Sequence, residues 1–188
     1  LGIGTSSPSY KLDVIAASSS AIPARLKGNA SGNNNTQLRF AGNNSGTDLW
    51  AIGTEVSTSS TGTAFDFYDL TAGANRMRLD SSGNLGLGVT PSAWNTLTTM
   101  QIKNASFSGY GNHSYTMANT FYQTGWKYIA SEYALQYYQN ATSGAHTWNI
   151  APSGTAGDAI SFTQAMTLDA NGNLLVGTTT AVSKLTVE

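Results

Sequence analysis

Residues Met77–Trp94 read MRLDSSGNLGLGVTPSAW, and residues Met166–Val187 read MTLDANGNLLVGTTTAVSKLTV. Met77 and Leu79 are one residue apart and share a face of an extended strand, and Leu85, Leu87 and Val89 share a face of the next. Between them Asp80, Ser81, Ser82, Gly83 and Asn84 form a turn, because an Asp carboxylate bonds back to turn amides and Gly adopts positive φ without steric cost. Asp169 and Gly172 repeat that chemistry between Leu168 and Leu174. The pattern predicts β-hairpins, and with them an all-β fold.

The opening LGIGTSSPSYKLDV, Leu1 to Val14, matches the second half of the same unit. Aligning Leu1, Leu85 and Leu174 gives offsets of 84 and 89 residues, long enough for a multi-stranded module. The expected divisions are residues 1–84 as a first module lacking its N-terminal hairpin half, 85–173 as a second, aromatic-rich module, and 174–188 as the start of a third. Both ends fall inside or just after a repeat unit, which implies a piece of a longer repetitive polypeptide. Gly2, Gly4, Gly86, Gly88 and Gly177 lie within or at the ends of strands, where close backbone approach, as at a crowded three-fold axis, favours glycine.

Composition agrees with this reading. Gly, Ser, Thr and Asn supply 82 of the 188 residues, which favours strands and turns over helices. Only 10% of residues are charged and the net charge is −1, so no field attracts nucleic acid. No cysteine is present, which excludes disulfides, thiolate metal sites and a cysteine nucleophile. No stretch approaches the roughly 20 apolar residues of a spanning helix, and no membrane insertion is expected. Leu, Ile, Val and Phe together number only 35, thin for a self-sufficient core, so neighbouring chains are expected to complete the burial.

The string LDSSGNLGLG followed by a Pro-containing turn, and its partner LGIGTSSPSYKLDV, resemble the repeats of bacteriophage tail fibres and tailspikes, often found just upstream of a C-terminal intramolecular chaperone domain. The motif covers about 50 of the 188 residues. The third copy departs from it at Leu175 and Val176, and the second has MQIK at Met100 to Lys103 in place of KLDV. The resemblance implies an elongated, intertwined homotrimer on the virion, outside the cell, joined to adjoining fibre segments and serving host attachment, with a bacterial surface glycan or other receptor as partner.

Between the repeats, strand-like runs occur at Gln37–Ala41, Leu49–Val56 and Ala64–Leu70, separated by loops at Asn33–Asn35, Asn43–Gly46 and Ser57–Thr63. Of 19 aromatic residues, 11 lie between Phe107 and Trp148. Such rings stack on sugars or pack between chains, and alternation only divides them by face. Tyr137 and Tyr138 must point to opposite faces, whereas Trp126 and Tyr128 share one. Tyr110, Asn112, His113, Trp126, Tyr128 and Tyr137 are the candidate carbohydrate-binding residues, with Tyr110 placed in a loop between glycines.

Catalytic and metal chemistry is poorly supported. The two histidines, His113 and His146, are 33 residues apart, without the close pairing of a metal site; His113 reads as an exposed loop residue and His146 as a strand residue with an ordinary hydrogen bond. A glycosidase needs two acids at a defined separation. Asp66 and Asp69 flank Tyr68 but belong to opposite strand faces, and they read as solvated residues, as does Glu132 before Tyr133. The segment Asp169–Asn173 lacks the further acids of a calcium loop. No enzyme, cofactor or metal is expected. A polysaccharide depolymerase and a purely structural spacer stay open as alternatives.

Overall fold

The computed structural model describes residues 2–3, 6–7, 13–14, 36–41, 47–54, 64–178 and 180. Among these every regular element is a strand. The first seven are β1 (Gly2–Ile3), β2 (Asp13–Val14), β3 (Gln37–Ala41), β4 (Asp48–Thr54), β5 (Phe65–Asp69), β6 (Ala74–Leu79) and β7 (Leu85–Leu87). The next five are β8 (Thr98–Ile102), β9 (Ala105–Tyr110), β10 (His113–Ala118), β11 (Thr120–Tyr122) and β12 (Trp126–Tyr128). The chain continues through β13 (Ala134–Asn140), β14 (Ala145–Ala151), β15 (Thr163–Leu168) and β16 (Leu174–Val176). The three strand-like runs read from the sequence are β3, β4 and β5, within two residues at each end. The expected loops at 33–35, 43–46 and 57–63, and Gly4, lie outside the described residues.

One twelve-stranded sheet runs from β16 through β15, β14, β13, β10, β9, β8, β7, β6, β5 and β4 to β3. Neighbours are antiparallel except β7 and β8, which pair in parallel: Leu85 with Met100, Gly86 with Gln101, Leu87 with Ile102. The short β1–β2 pair is also parallel, with Gly2 beside Asp13 and Ile3 beside Val14. Gln101 and Ile102 therefore pair as Asp13 and Val14 do, and the polar–apolar alternation that serves the pairing is kept. The β11–β12 hairpin is separate from the sheet and stacks with the loops that cover one of its faces.

The Asp turns form as their chemistry requires. Asp80 Oδ1 accepts from the amides of Ser82 at 2.9 Å and Asn84 at 2.8 Å, while Asn84 Nδ2 donates to Oδ2 at 3.1 Å. Asp169 holds Asn171 N, Asn173 N and Asn173 Nδ2 at 2.9, 2.8 and 2.8 Å. Gly83 and Gly172 have φ of 84° and 76°. The likeness continues beyond the turns. Arg76 is the extra residue of a bulge between β5 and β6, and Ala165 that of a bulge between β14 and β15. Their carbonyls accept from Gly88 N at 2.9 Å and Gly177 N at 3.0 Å. Asp80→Ala should lower stability by about 1–2 kcal/mol in urea unfolding, since three local bonds are lost at a partly exposed turn.

Two details differ from expectation. Strand β7 ends at Leu87, and Gly88 at φ 64° turns the chain, so Val89 lies outside the strand. A Cβ on Gly86 would lie 2.1 Å from Val89 O and 2.9 Å from Pro91 Cδ. The close approach that selects glycine here is the chain's own loop folding back over the strand.

Candidate functional site

The two faces of the sheet carry the reverse of the usual polarity. Asp66, Thr99, Gln101, Ser106, Ser108 and Gln136 all point to one face and are buried. Their polar atoms are largely bonded to one another and to the covering loops. Thr99 Oγ1 meets Ser108 Oγ at 2.7 Å, and Gln101 Oε1 accepts from Ser92 N at 2.8 Å and Trp94 Nε1 at 3.0 Å. Apolar groups of the loops and hairpin complete this side: Trp94 and Leu97 with Met117, then Tyr128 with Ala134 and Ala151. Loops thus seal a polar sheet face by supplying both hydrogen bonds and rings.

The opposite face is apolar, and none of the described residues covers it. Registered pairing places Leu38, Ile52, Phe67, Met77, Leu87 and Ile102 in one row across six strands, continuing through Ala105, Ala118, Leu135 and Ile150. The adjacent row holds Phe65, Leu79, Met100, Phe107, Trp148 and Val176. Phe107 is 55% and Val176 66% exposed, and thirteen large apolar side chains of this face are at least 36% exposed. That puts on the order of 1,000 Å² of apolar surface in one patch, against roughly 300–600 Å² for the largest patch of a typical monomer. Grooves of about 350, 330 and 710 Å³ run between these side chains, lined among others by Leu38 and Phe65, by Tyr137 and Trp148, and by Leu135 and Ile150.

The covered face carries a chain of ring contacts. Tyr110 stacks on His113 with centroids 6.4 Å apart, His113 meets Tyr138 at 5.6 Å, Tyr138 lies parallel to Tyr115 at 4.7 Å, and Tyr115 meets Trp126 at 5.6 Å. Trp126 then contacts Tyr122 and Phe162 edge-on. Burial, followed by the neighbouring Tyr138, pushes the Tyr115 hydroxyl up to about 12. Because the folded value exceeds that of a free tyrosine near 10, the associated stability is complete below pH 10 and lost as pH rises toward 12. A falling melting temperature over that window should be absent in Tyr115→Phe, which keeps the stacked ring.

The six candidate binding residues separate accordingly. Tyr110, His113 and Trp126 belong to the ring chain, Tyr110 being the last residue of β9 and 53% exposed. It closes a two-residue turn, Gly111–Asn112, opposite His113, and is a strand residue where a loop was expected. His113 likewise starts a strand and is partly buried, its Nδ1 paired with Tyr138 Oη at 3.0 Å. Tyr137 is on the other face, as alternation requires, bonded to His146 Nδ1 at 2.6 Å and packed on Trp148 at 4.9 Å. Tyr128 is a packing residue: it is 5% exposed, and its hydroxyl donates to Pro152 O at 2.7 Å. The β11–β12 hairpin lays it against the loop that contains Gly154, where a Cβ would sit 2.3 Å from the ring.

Asn112 lies at a cleft of about 370 Å³ between the tips of the β9–β10 and β13–β14 hairpins. The tips are tied by Ala141 N donating to Asn112 O at 3.1 Å. Gly111 and Gly144, with φ of 53° and 67°, make the reversals. His113, Ser114, Gln139, Asn140 and His146 also line the cleft. Ser114 Oγ donates to Gln139 Oε1 at 2.7 Å and Gln139 Nε2 donates to Tyr137 Oη at 3.1 Å. Ser114, Gln139 and His146 are register partners and form the polar margin of the apolar face.

The acids are dispersed. Asp66 is buried, contrary to its expected solvation, with Arg78 Nη1 3.6 Å away. The inward side of β5 is covered, and a buried carboxylate requires such a partner. Asp69 is on the outward side, its carboxyl held below the usual range by the Ala72 amide and then by Arg76. Among the described residues no group of three or more His, Asp or Glu is placed to hold a metal, and no helix is long and apolar enough to cross a membrane. No protein-family model, curated protein or solved structure matches this chain.

Proposed function

We propose that the chain is a structural and host-attachment segment of a bacteriophage tail fibre, assembled as a homotrimer from repeated hairpin modules and displayed outside the cell on the virion. The observation that carries this reading is the apolar face that none of the described residues covers. Burying on the order of 1,000 Å² of it per chain against other copies contributes about 25 kcal/mol per chain before association costs, which suits an obligate assembly. Cyclic packing about a three-fold axis turns this face of all three chains inward and leaves none of it exposed. The matching bonds at Asp80 and Asp169 support a module meant to be strung in series, and the parallel β7–β8 pair supplies the joint.

Attachment follows from what remains outward: a nearly neutral surface rich in hydroxyl and amide groups, with ring-bearing hairpin tips. Several copies per particle turn weak contacts into retention. Incubating the labelled chain with capsule-bearing and rough bacteria should leave it bound to cells with capsule polysaccharide undiminished in length. Shortening that is abolished by Asp66→Asn or Asp69→Asn would instead assign a depolymerase, and absence of retention on every strain would leave a spacer.

A further inference from the structure

We infer that Asn171 is a modification site: its side-chain amide is open to displacement by the backbone nitrogen of Gly172, and the Asp169 turn holds that reaction off while the chain is folded. Asn171 and Gly172 form the chain's one Asn-Gly pair, and both are exposed in the turn between β15 and β16. In the reaction Gly172 N bonds to Asn171 Cγ and closes a succinimide ring. The Cγ–Nδ2 bond breaks, and ammonia leaves with the proton that solvent took from Gly172 N. Water then opens the ring to aspartate or isoaspartate, so water is the only co-reactant. Glycine favours closure because it has no Cβ to shield the attacking nitrogen. The turn nevertheless demands it: Gly172 has φ 76°, as Gly83 has 84° in the equivalent turn, where the preceding residue is Ser82 and has no carboxamide to lose.

Protection comes from the bonds of the turn. Gly172 N donates to Asp169 O at 3.0 Å, so the attacking nitrogen is engaged and its peptide plane is fixed. Asp169 Oδ1 accepts from Asn171 N at 2.9 Å and Asn173 N at 2.8 Å, and Oδ2 accepts from Asn173 Nδ2 at 2.8 Å, which pins the backbone on both sides of the reacting pair. Closure requires the plane to turn its nitrogen toward Cγ, and that rotation breaks the bond to Asp169 O. Once formed, isoaspartate routes the main chain through the former side chain, adds one backbone atom between Asp169 and Asn173, and sets a second carboxylate beside Asp169. The turn bonds cannot all survive that insertion. Strand β16, which among the described residues pairs with β15 alone, then loses its anchor.

Peptide mapping of the intact chain, held for weeks at mildly alkaline pH, tests this through the fraction of aspartate and isoaspartate at position 171. The folded parent should convert at least about tenfold more slowly than the same chain in guanidinium chloride. Asp169→Ala, kept folded, should convert about tenfold faster than the parent, the worth of one or two hydrogen bonds. Asp80→Ala removes the equivalent bonds of the other turn without touching Asn171, so it should keep the parent's rate. Ser82→Asn puts a second Asn-Gly pair into that turn and should be as slow at position 82 as the parent is at 171. If Asp169→Ala does not fold, Ser82→Asn combined with Asp80→Ala replaces it, with the same acceleration expected at position 82. Parent conversion as fast as in denaturant, or rapid conversion in Ser82→Asn alone, would show that the turn protects nothing. Equal acceleration at position 171 by Asp80→Ala and Asp169→Ala would assign protection to overall stability and overturn the role of Asp169.

Discussion

Asp in place of both Phe67 and Ile102 should take the assembly apart. These residues lie in the central row of the apolar face, 36% and 48% exposed in the isolated chain. In a closed assembly each copy would bury two carboxylates against Leu and Ile side chains without a cation. An uncompensated buried charge costs several kcal/mol, so the loss multiplied over the copies exceeds what the remaining apolar contact contributes. Sedimentation at micromolar concentration should then show single chains where the parent shows an oligomer. Asp at Ser81 and Ser143, which lie in exposed turns, should leave the parent mass intact. An unchanged mass for the Phe67 and Ile102 variant would show that another surface joins the chains.

Asn119→Ala should cost about 3–5 kcal/mol, the largest single-residue effect on folding expected outside the interface. Asn119 is buried at φ 60°, a conformation Asn tolerates better than Ala. Its Nδ2 donates toward the carbonyls of Ala130, Glu132 and Tyr133 at 2.9, 3.1 and 3.1 Å, and its Oδ1 accepts from Ala130 N at 2.7 Å. Truncation strands those loop groups and adds left-handed strain. Asn119→Gly relieves the strain alone, so it should recover about 1–2 kcal/mol and leave the larger part lost. Thermal unfolding of the two variants separates these causes, and equal stability of Asn119→Gly and the parent would show that the side chain clamps nothing. The loop at issue leads into β13, so its loosening should also disturb Tyr137 and Tyr138.

Much of this fold is legible in the sequence, and the illegible part has a common cause. Alternation marks β3, β4 and β5, and local turn chemistry marks Asp80 with Gly83 and Asp169 with Gly172, because donor and acceptor there are at most four residues apart. Gly86 stands out for the right property, but its neighbour is Pro91 of the same chain. Asn119 carries no signal, since its partners lie 11 to 14 residues downstream and only the folded loop brings them together. The scarcity of large apolar residues points to completion by other chains. It does not say which sheet face stays open, because that depends on where the loops bearing Trp94 and Phe162 fold. The same long-range placement decides Tyr128, whose spacing from Trp126 is strand-like whether the hairpin is covered or bare. For the cleft, Asn112 is visible in the turn and His113 next to it, while Gln139, Asn140 and His146 come near them only through pairing of β10 with β13 and β13 with β14.

The central claim is that the apolar face is an interface between copies of this chain. Light scattering of the purified chain tests it most directly: the expected particle holds three chains, three times 19.7 kDa, and persists to low micromolar concentration. A folded, soluble particle of 19.7 kDa would contradict it.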